Sequence, residues 1–420
     1  MDTSELQRPR KVVAFDHLSD EFRTDWIKTF RQLRETAPIA WTESHGGYWV
    51  VSSYEHVTRI ARDWETFSSA KHYDPVTHTA TGGLTIPTFP APASIPIETD
   101  PPVWNVYRDL LNPFFGPKAV EARGQKGEQM VSALVDRVIE RGSFDIVLDL
   151  ANPLPALMTL DLLGIETDDW HRWAEPFHEL VYIEKTSKEF LKVLDDLNWI
   201  RGQLAKEVAA NRAKPKPGLF SAVCNGQIGG KPIAEADLVE IGMMVLVGGV
   251  DTTTALTANT LMYLHKNRSA RKHLIDNPDA WPIAREELIR FFTPVHNIVR
   301  HATKDVEVGG QLISKGDRIL MAYSGANHDA AAFDRPDDIV LGRMPNKHVG
   351  FGNGIHRCLG SFVARLMWDV MVKEVLNRMP DYEVIETEAV QYPLVSSING
   401  WIKIPATFTP GKKVAAGMRL

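Results

Sequence analysis

The stretch Phe351-Gly352-Asn353-Gly354-Ile355-His356-Arg357-Cys358-Leu359-Gly360 decides how this 420-residue chain is read. It runs directly into residues 359–378, whose apolar positions recur at helical spacing. A thiolate that ligates a metal needs such surroundings. The N–H groups and positive dipole end of a helix start favour the thiolate, and hydrogen bonds to sulfur tune its basicity. Glycines let the backbone turn tightly and approach a flat macrocycle, and Phe351 would keep water from the sulfur. From spacing alone, an ordinary buried cysteine beside a helix start is the alternative. Cys224, in Ala222-Val223-Cys224-Asn225-Gly226, has no such frame and reads as an inert thiol. Two cysteines outside a Cys-x-x-Cys pair build no disulfide scaffold.

A second stretch, Gly248-Gly249-Val250-Asp251-Thr252-Thr253, lies inside the longest helical candidate, residues 234–266. Its interior, Ile241–Val250, is apolar on nearly every face and is expected to be buried. Two glycines there cost about 1 kcal/mol each in helix propensity, and a buried Asp costs more unless paired. The Thr252 hydroxyl has the Gly248 carbonyl within reach, a bond that loosens a helix. A kink there would make room for a diatomic ligand, with Thr252 bonding it and Asp251 feeding protons through a water chain. A small-residue helix contact, with Asp251 bridged to a basic partner, is the plainer alternative. Thr253 and Thr254 read as packing residues.

The rest of the chain predicts a mainly α fold with small β-sheets. Helices are expected at 21–38, through most of 104–214 and at 268–292. Strands are expected at Ile39–Trp41, Tyr48–Ser52, Val306–Leu320 (turning at Gly309-Gly310), Asp381–Val384 and Trp401–Ile404. Residues 325–357 read as loop. Residues 70–102 carry seven prolines and Gly82-Gly83, so no regular element is expected, and a lid or a surface excursion is. No linker, repeat or charge run divides the chain, which reads as one domain over 1–420 with a flexible N-terminus at 1–15. A net charge of −6 argues against nucleic acid as a partner. No run approaches the roughly 18–20 apolar residues of a membrane span, and Met1–Val13 lacks a signal-peptide core. A cytosolic protein with no membrane partner is expected.

Phe351-x-x-Gly354-x-His356-x-Cys358-x-Gly360 resembles the cysteine-ligand signature of the cytochrome P450 family. Gly248-Gly249-x-Asp251-Thr252 resembles its central-helix motif, and Glu287-x-x-Arg290 its structural lock, which Arg343 would join. Asp100-Pro101-Pro102, Ala326–Asp329 and Phe333–Pro336 fit in order, so the resemblance covers roughly residues 20–410. It implies a single-domain triangular helical prism holding haem b, with Cys358 as the axial iron ligand and Gly248, Phe351 and Gly360 against the haem. His356, Arg300 and Arg108 would bind its propionates. Trp104 stands where the family often has a histidine, which puts that contact in doubt. The implied reaction is NAD(P)H-dependent monooxygenation of a hydrophobic small molecule by O2, with catalytic Asp251 and Thr252. A terpenoid is favoured over a steroid, fatty acid or aromatic. Electrons would come from a separate ferredoxin and ferredoxin reductase docking near Arg108, Lys118 and Arg357. By position, Phe89, Ile95, Ile97, Val181, Tyr182, Val247, Gly248, Val295, Ile298, Val395 and Ile398 would line the substrate pocket. His296 and Asn297 would add polar contacts, and Lys71 and His72 are weaker candidates. A peroxide-driven peroxygenase or isomerase, or a non-catalytic haem protein, is the competing function.

Overall fold

A computed structural model describes residues 10–166, 168–184, 187–393 and 398–414. Helix Pro153–Leu163 shows why helices form the main layer: every residue but Asp161 is buried, so it is enclosed on all sides. Around it pack helices Gly124–Asp136, Trp170–Tyr182 and Ser361–Arg378, together with the central pair described next. Two stretches, Ile146–Leu163 and Glu235–Lys266, are in fact long and apolar enough to cross a membrane. The first is 83% buried in the protein interior and an 18-residue window of the second 67%, which accounts for their apolar faces.

Residues 234–266 do not form one helix. The structure has Glu235–Gly249 and Asp251–Lys266, broken at Val250 (φ −91°, ψ −73°). Gly249 lies against helix Pro153–Leu163, where an added Cβ would stand 2.4 Å from the Thr159 Oγ1. The Thr254 hydroxyl donates to the Ala151 carbonyl at 2.8 Å, so the break is fixed from outside the helix as well as within it. The expected helices at 21–38 and 268–292 are likewise divided, at Asp25 and at Asn277–Ala280. The Asp25 carboxylate caps the second segment, and Pro278 opens a 3₁₀ turn.

One five-stranded sheet flanks the helical layers, in the order Ile39–Thr42, Tyr48–Val51, Arg318–Ala322, Asn297–Ala302 and Phe67–Ser68. The hairpin Val306–Val308/Gln311–Ile313 turns at Gly309-Gly310 as expected, both at positive φ. Glu383–Val384 pairs with Pro405–Thr407, while Trp401–Lys403 pairs with Val390–Gln391. Residues 70–102 depart from expectation. Lys71–Asp74 and Thr79–Gly82 form a hairpin in which Lys71 faces Gly82. Pro75 falls in its turn and the other six prolines follow the second strand, so the ladder loses no donor. Residues 1–9 lie outside the described residues. Residues 10–15 are held, against the expected flexibility: Val13 donates to the Trp41 carbonyl at 2.8 Å, and Phe15 packs among Phe22, Phe30 and Tyr48.

Candidate active site

The cysteine loop closes on itself, with the Cys358 N–H donating to the Phe351 carbonyl at 2.8 Å. Gly354 has φ +71°, and a Cβ there would lie 2.1 Å from the Ala61 carbonyl oxygen, so only glycine fits. Helix Ser361–Arg378 starts three residues after the sulfur. Burial raises the Cys358 thiol above its ordinary range, and a hydrogen bond from the Gly360 N–H and the charges of Arg108, Arg357 and Arg365 oppose that rise. The sulfur's exposure is to an internal cavity whose wall includes Cys358, Phe351 and Gly360. Behind it, Arg365 stacks on the Phe351 ring at 4.4 Å and donates to Glu286 at 2.8 Å. Cys224 is buried in the helical core, where burial pushes its thiol up to about 11.

Four donors meet on one wall of that cavity: Trp104, Arg108, Arg300 and His356. The Arg300 side chain is 2% exposed, and its one guanidinium hydrogen bond among the described residues goes to the Val299 carbonyl at 3.0 Å. His356 pairs through Nε2 with the Ser69 hydroxyl at 2.9 Å, leaving Nδ1 buried without a partner. Burial, then Arg300 and Arg108, push this imidazole down to about 3, so it is neutral. The Trp104 Nε1 is also buried and unpartnered. A buried cation and orphaned polar atoms on one wall are costly unless an anion meets them. The set therefore fits the carboxylate edge of haem, and the sulfur fits its iron. Trp104, in doubt from the sequence, stands with the other donors.

Above this wall lies the break in the central helix. The Thr252 hydroxyl donates to the Gly248 carbonyl at 3.2 Å, the bond its position predicts. Gly248, Gly249, Thr252 and Thr253 line the cavity, and Asp251 does not. Its Oδ1 instead accepts from His178 at 2.7 Å and Tyr392 at 2.7 Å, with the carboxylate 1% exposed. The basic partner of the plainer alternative is thus present, beside a break that helix contact alone does not require.

The space between the cavity walls, open mouth included, is ≈ 1910 Å³. Of the expected pocket residues, Ile95, Ile97, Val247, Gly248, Val295, Asn297 and Ile298 line it. Five lie elsewhere. His296 packs on Trp26 (4.6 Å) and Phe22, fully buried behind the sheet, because Asn297 begins a strand whose alternation sends it away. Tyr182 stacks on Tyr392, Val181 and Phe89 are half-buried off the wall, and Ile398 makes a bridge with Val295. Val395 lies outside the described residues. Lys71 is paired with Glu98 at 3.4 Å and His72 is exposed, so neither reaches the cavity. Sequence reading missed Leu84, Thr159, Met244 and Tyr323 on the wall, and Ser69 behind His356. Ser69 and His356 are 287 residues apart, and no local pattern joins them.

Glu287, Arg290 and Arg343 meet in the structure. Arg290 donates twice to Glu287, at 2.8 and 2.9 Å, and Arg343 adds a third bond at 2.9 Å. Burial opposes ionisation of Glu287, but Arg290, the Val340 N–H and Arg343 hold its carboxyl below the usual range.

The family model for cytochrome P450 matches residues 284–390. The chain is 30% identical over 386 residues to the steroid C26-monooxygenase of Mycobacterium tuberculosis, covering 91% of this chain and 93% of that one. It is 30% identical over 369 residues to the linalool 8-monooxygenase of Pseudomonas putida, covering 84% and 89%. A solved Mycobacterium marinum cytochrome P450 in complex with pseudoionone superposes with a TM-score of 0.85 at 28% identity, covering 96% and 100%. A Bacillus megaterium structure with testosterone shares the fold at 24% identity, with a TM-score of 0.81 over 93% and 99%. By these relatives, by the order of its motifs and by its cysteine-floored cavity, the chain belongs to the cytochrome P450 family of haem-thiolate monooxygenases.

Proposed function

We propose that Cys358 ligates the haem iron, that Trp104, Arg108, Arg300 and His356 hold the propionates, and that Thr252 and Asp251 manage protons during oxidation of a compact apolar substrate. The observation that carries this reading is one cavity whose lining brings together the sulfur, the unpartnered donors and the helix break. Bound haem supplies the one-electron chemistry that activates dioxygen. Cys358 anchors it, with the Gly360 N–H tempering the sulfur's charge. The Phe351 and Leu359 side chains exclude water from that side. Thr252, which lines the cavity, would orient a proton donor there with its hydroxyl.

The substrate end of the cavity is mostly aliphatic: Leu84, Ile95, Ile97, Val247, Val295 and Ile298. Thr85 and Asn297 are its polar points, enough to orient one hydroxyl or carbonyl. No cation stands among these substrate-end residues to anchor a carboxylate. Together with relatives named for linalool and a steroid, this favours a terpenoid-like alcohol or ketone. Optical titration with a monoterpenol, a steroid and a long-chain fatty acid tests it. The monoterpenol should give the largest spectral shift, and a response to the fatty acid alone would overturn the assignment.

Electrons are proposed to arrive from a ferredoxin, itself reduced by its NAD(P)H-dependent reductase, on the cysteine face. Lys118 and Arg357 are exposed there, and the Arg357 carbonyl accepts from Arg108 at 2.9 Å. Reversing Lys118 and Arg357 to Glu should slow reduction severalfold at low salt and leave substrate titrations unchanged. Unaltered reduction rates would remove the docking face.

A further inference from the structure

The Asp251 carboxylate is turned from the cavity into a three-residue cluster drawn from distant parts of the chain. His178 comes from helix Trp170–Tyr182, Asp251 opens the second half of the central helix, and Tyr392 follows strand Val390–Gln391. His178 Nδ1 and Tyr392 Oη each lie 2.7 Å from Asp251 Oδ1 and 3.2 Å from one another. An ionised carboxylate only accepts, so the imidazole carries its proton on Nδ1. The residues are 4%, 1% and 1% exposed. Yet His178 Nε2 and Asp251 Oδ2 are buried with no partner among the described residues. A purely structural network satisfies its atoms. This one is open at a nitrogen on one end and an oxygen on the other.

We propose that His178 is the intake of a proton path leading through Asp251 to Thr252, with Tyr392 as its positioning residue; this rests on the roles given to Asp251 and Thr252 above. Monooxygenation consumes two protons and two electrons for each O2, as one oxygen enters substrate and the other becomes water. For each proton, Nε2 takes one from water and Nδ1 passes one to Oδ1. The carboxyl group turns and releases it on the Thr252 side, and tautomer exchange restores the Nδ1–H. Tyr392 does not exchange: burial, then the Asp251 charge, hold its hydroxyl well above the ordinary range, so it remains a donor. Tyr182 stacks on the Tyr392 ring at 5.3 Å, and the Tyr392 N–H donates to the Gly400 carbonyl at 3.1 Å. Among the described residues, the charged and titratable groups facing His178 are Glu179 and Tyr182 on its own helix, and Asp251 and Tyr392; Glu179 in turn faces Glu175 and, from helix Lys188–Ala213, Lys192 and Asp196.

The test compares holoenzyme driven by O2 and its electron donors with holoenzyme driven by hydrogen peroxide, which brings oxygen already reduced and protonated. In His178→Phe the ratio of O2-driven to peroxide-driven product formation should fall about tenfold, within the range of one proton-transfer group. The solvent deuterium isotope effect on the O2-driven rate should rise with it. His178→Gln keeps a donor to Oδ1 but no exchangeable ring proton, and should show the same fall; Tyr392→Phe should show a smaller one. Independently of turnover, proton NMR of the reduced carbon monoxide form should show a downfield Nδ1 proton, lost in Asp251→Asn and shifted in Tyr392→Phe. Equal losses in both modes of turnover would make His178 a packing residue and overturn the path. If Asp251→Asn lowers the ratio and both His178 variants leave it intact, only the intake is wrong. If Asp251→Asn itself leaves the ratio unchanged, the role of Asp251 falls as well.

Discussion

Among the described residues the Thr252 side chain makes one hydrogen bond, from its hydroxyl to the Gly248 carbonyl, and the residue lines the cavity. Thr252→Ala should therefore leave the fold intact and uncouple the reaction: O2 consumption continues while product per electron pair drops about tenfold or more. Product yield measured against reductant consumed checks this, and an undiminished yield would deny Thr252 its role. At this scale the sequence was most legible where a residue's task is local. Thr252 reaches a carbonyl four residues back, and Gly354 answers a backbone demand readable from its spacing before Cys358. Asp251 was legible only in part. Its need for a partner followed from burial, but His178 and Tyr392 lie 73 and 141 residues away and carry no local signature.

The Glu287, Arg290 and Arg343 lock ties helix Trp281–Phe292 to the segment leading into the cysteine loop. Arg290 also donates to the Asn327, Pro336 and Asp338 carbonyls, at 2.7, 2.7 and 2.9 Å. All three charges are buried, so Glu287→Ala leaves two unpaired cations in the interior at a cost of about 3–5 kcal/mol. Urea unfolding should show that loss, together with weaker haem retention. A loss below about 1 kcal/mol would mean the lock resembles a surface pair. Element boundaries were the less readable part of the chain. Periodicity ran through Val250, Asp25 and Asn277 because apolar spacing persists across each break, while the breaks are fixed by Thr254 on the Ala151 carbonyl, by an Asp25 cap and by Pro278. In the opposite direction, proline count hid the Lys71–Gly82 hairpin, since the prolines sit around its ladder and not in it.

Across the whole molecule, buried neutral histidines set a pH limit. His296 has no exposure and, among the described residues, no hydrogen-bond partner for either nitrogen, and burial, then His328, push it down to about 3. Its ordinary value is near 6.5, so unfolding takes up a proton as pH falls below that point, and the stability present above it drains away toward pH 3. At pH 5 the loss from this one residue is about 2 kcal/mol. His301, pushed down to about 4 by burial first, adds in the same direction. Urea midpoints between pH 7 and 5 should fall steadily, and less so in His296→Phe; equal slopes would place the sensitivity elsewhere. The fold class was legible because helix-period patterning and ordered motifs extend over most of the chain, whereas a cavity wall assembled from Leu84 to Met367 is a product of packing alone. Whether Cys358 holds the haem iron is read from the absorption spectrum of the dithionite-reduced protein under carbon monoxide. Ligation by Cys358 gives a Soret band at the long-wavelength, thiolate-type position, kept in Cys224→Ser and moved to the shorter, histidine-type position in Cys358→His. A short-wavelength band in the unaltered protein, or a long-wavelength band that survives Cys358→His, would contradict it.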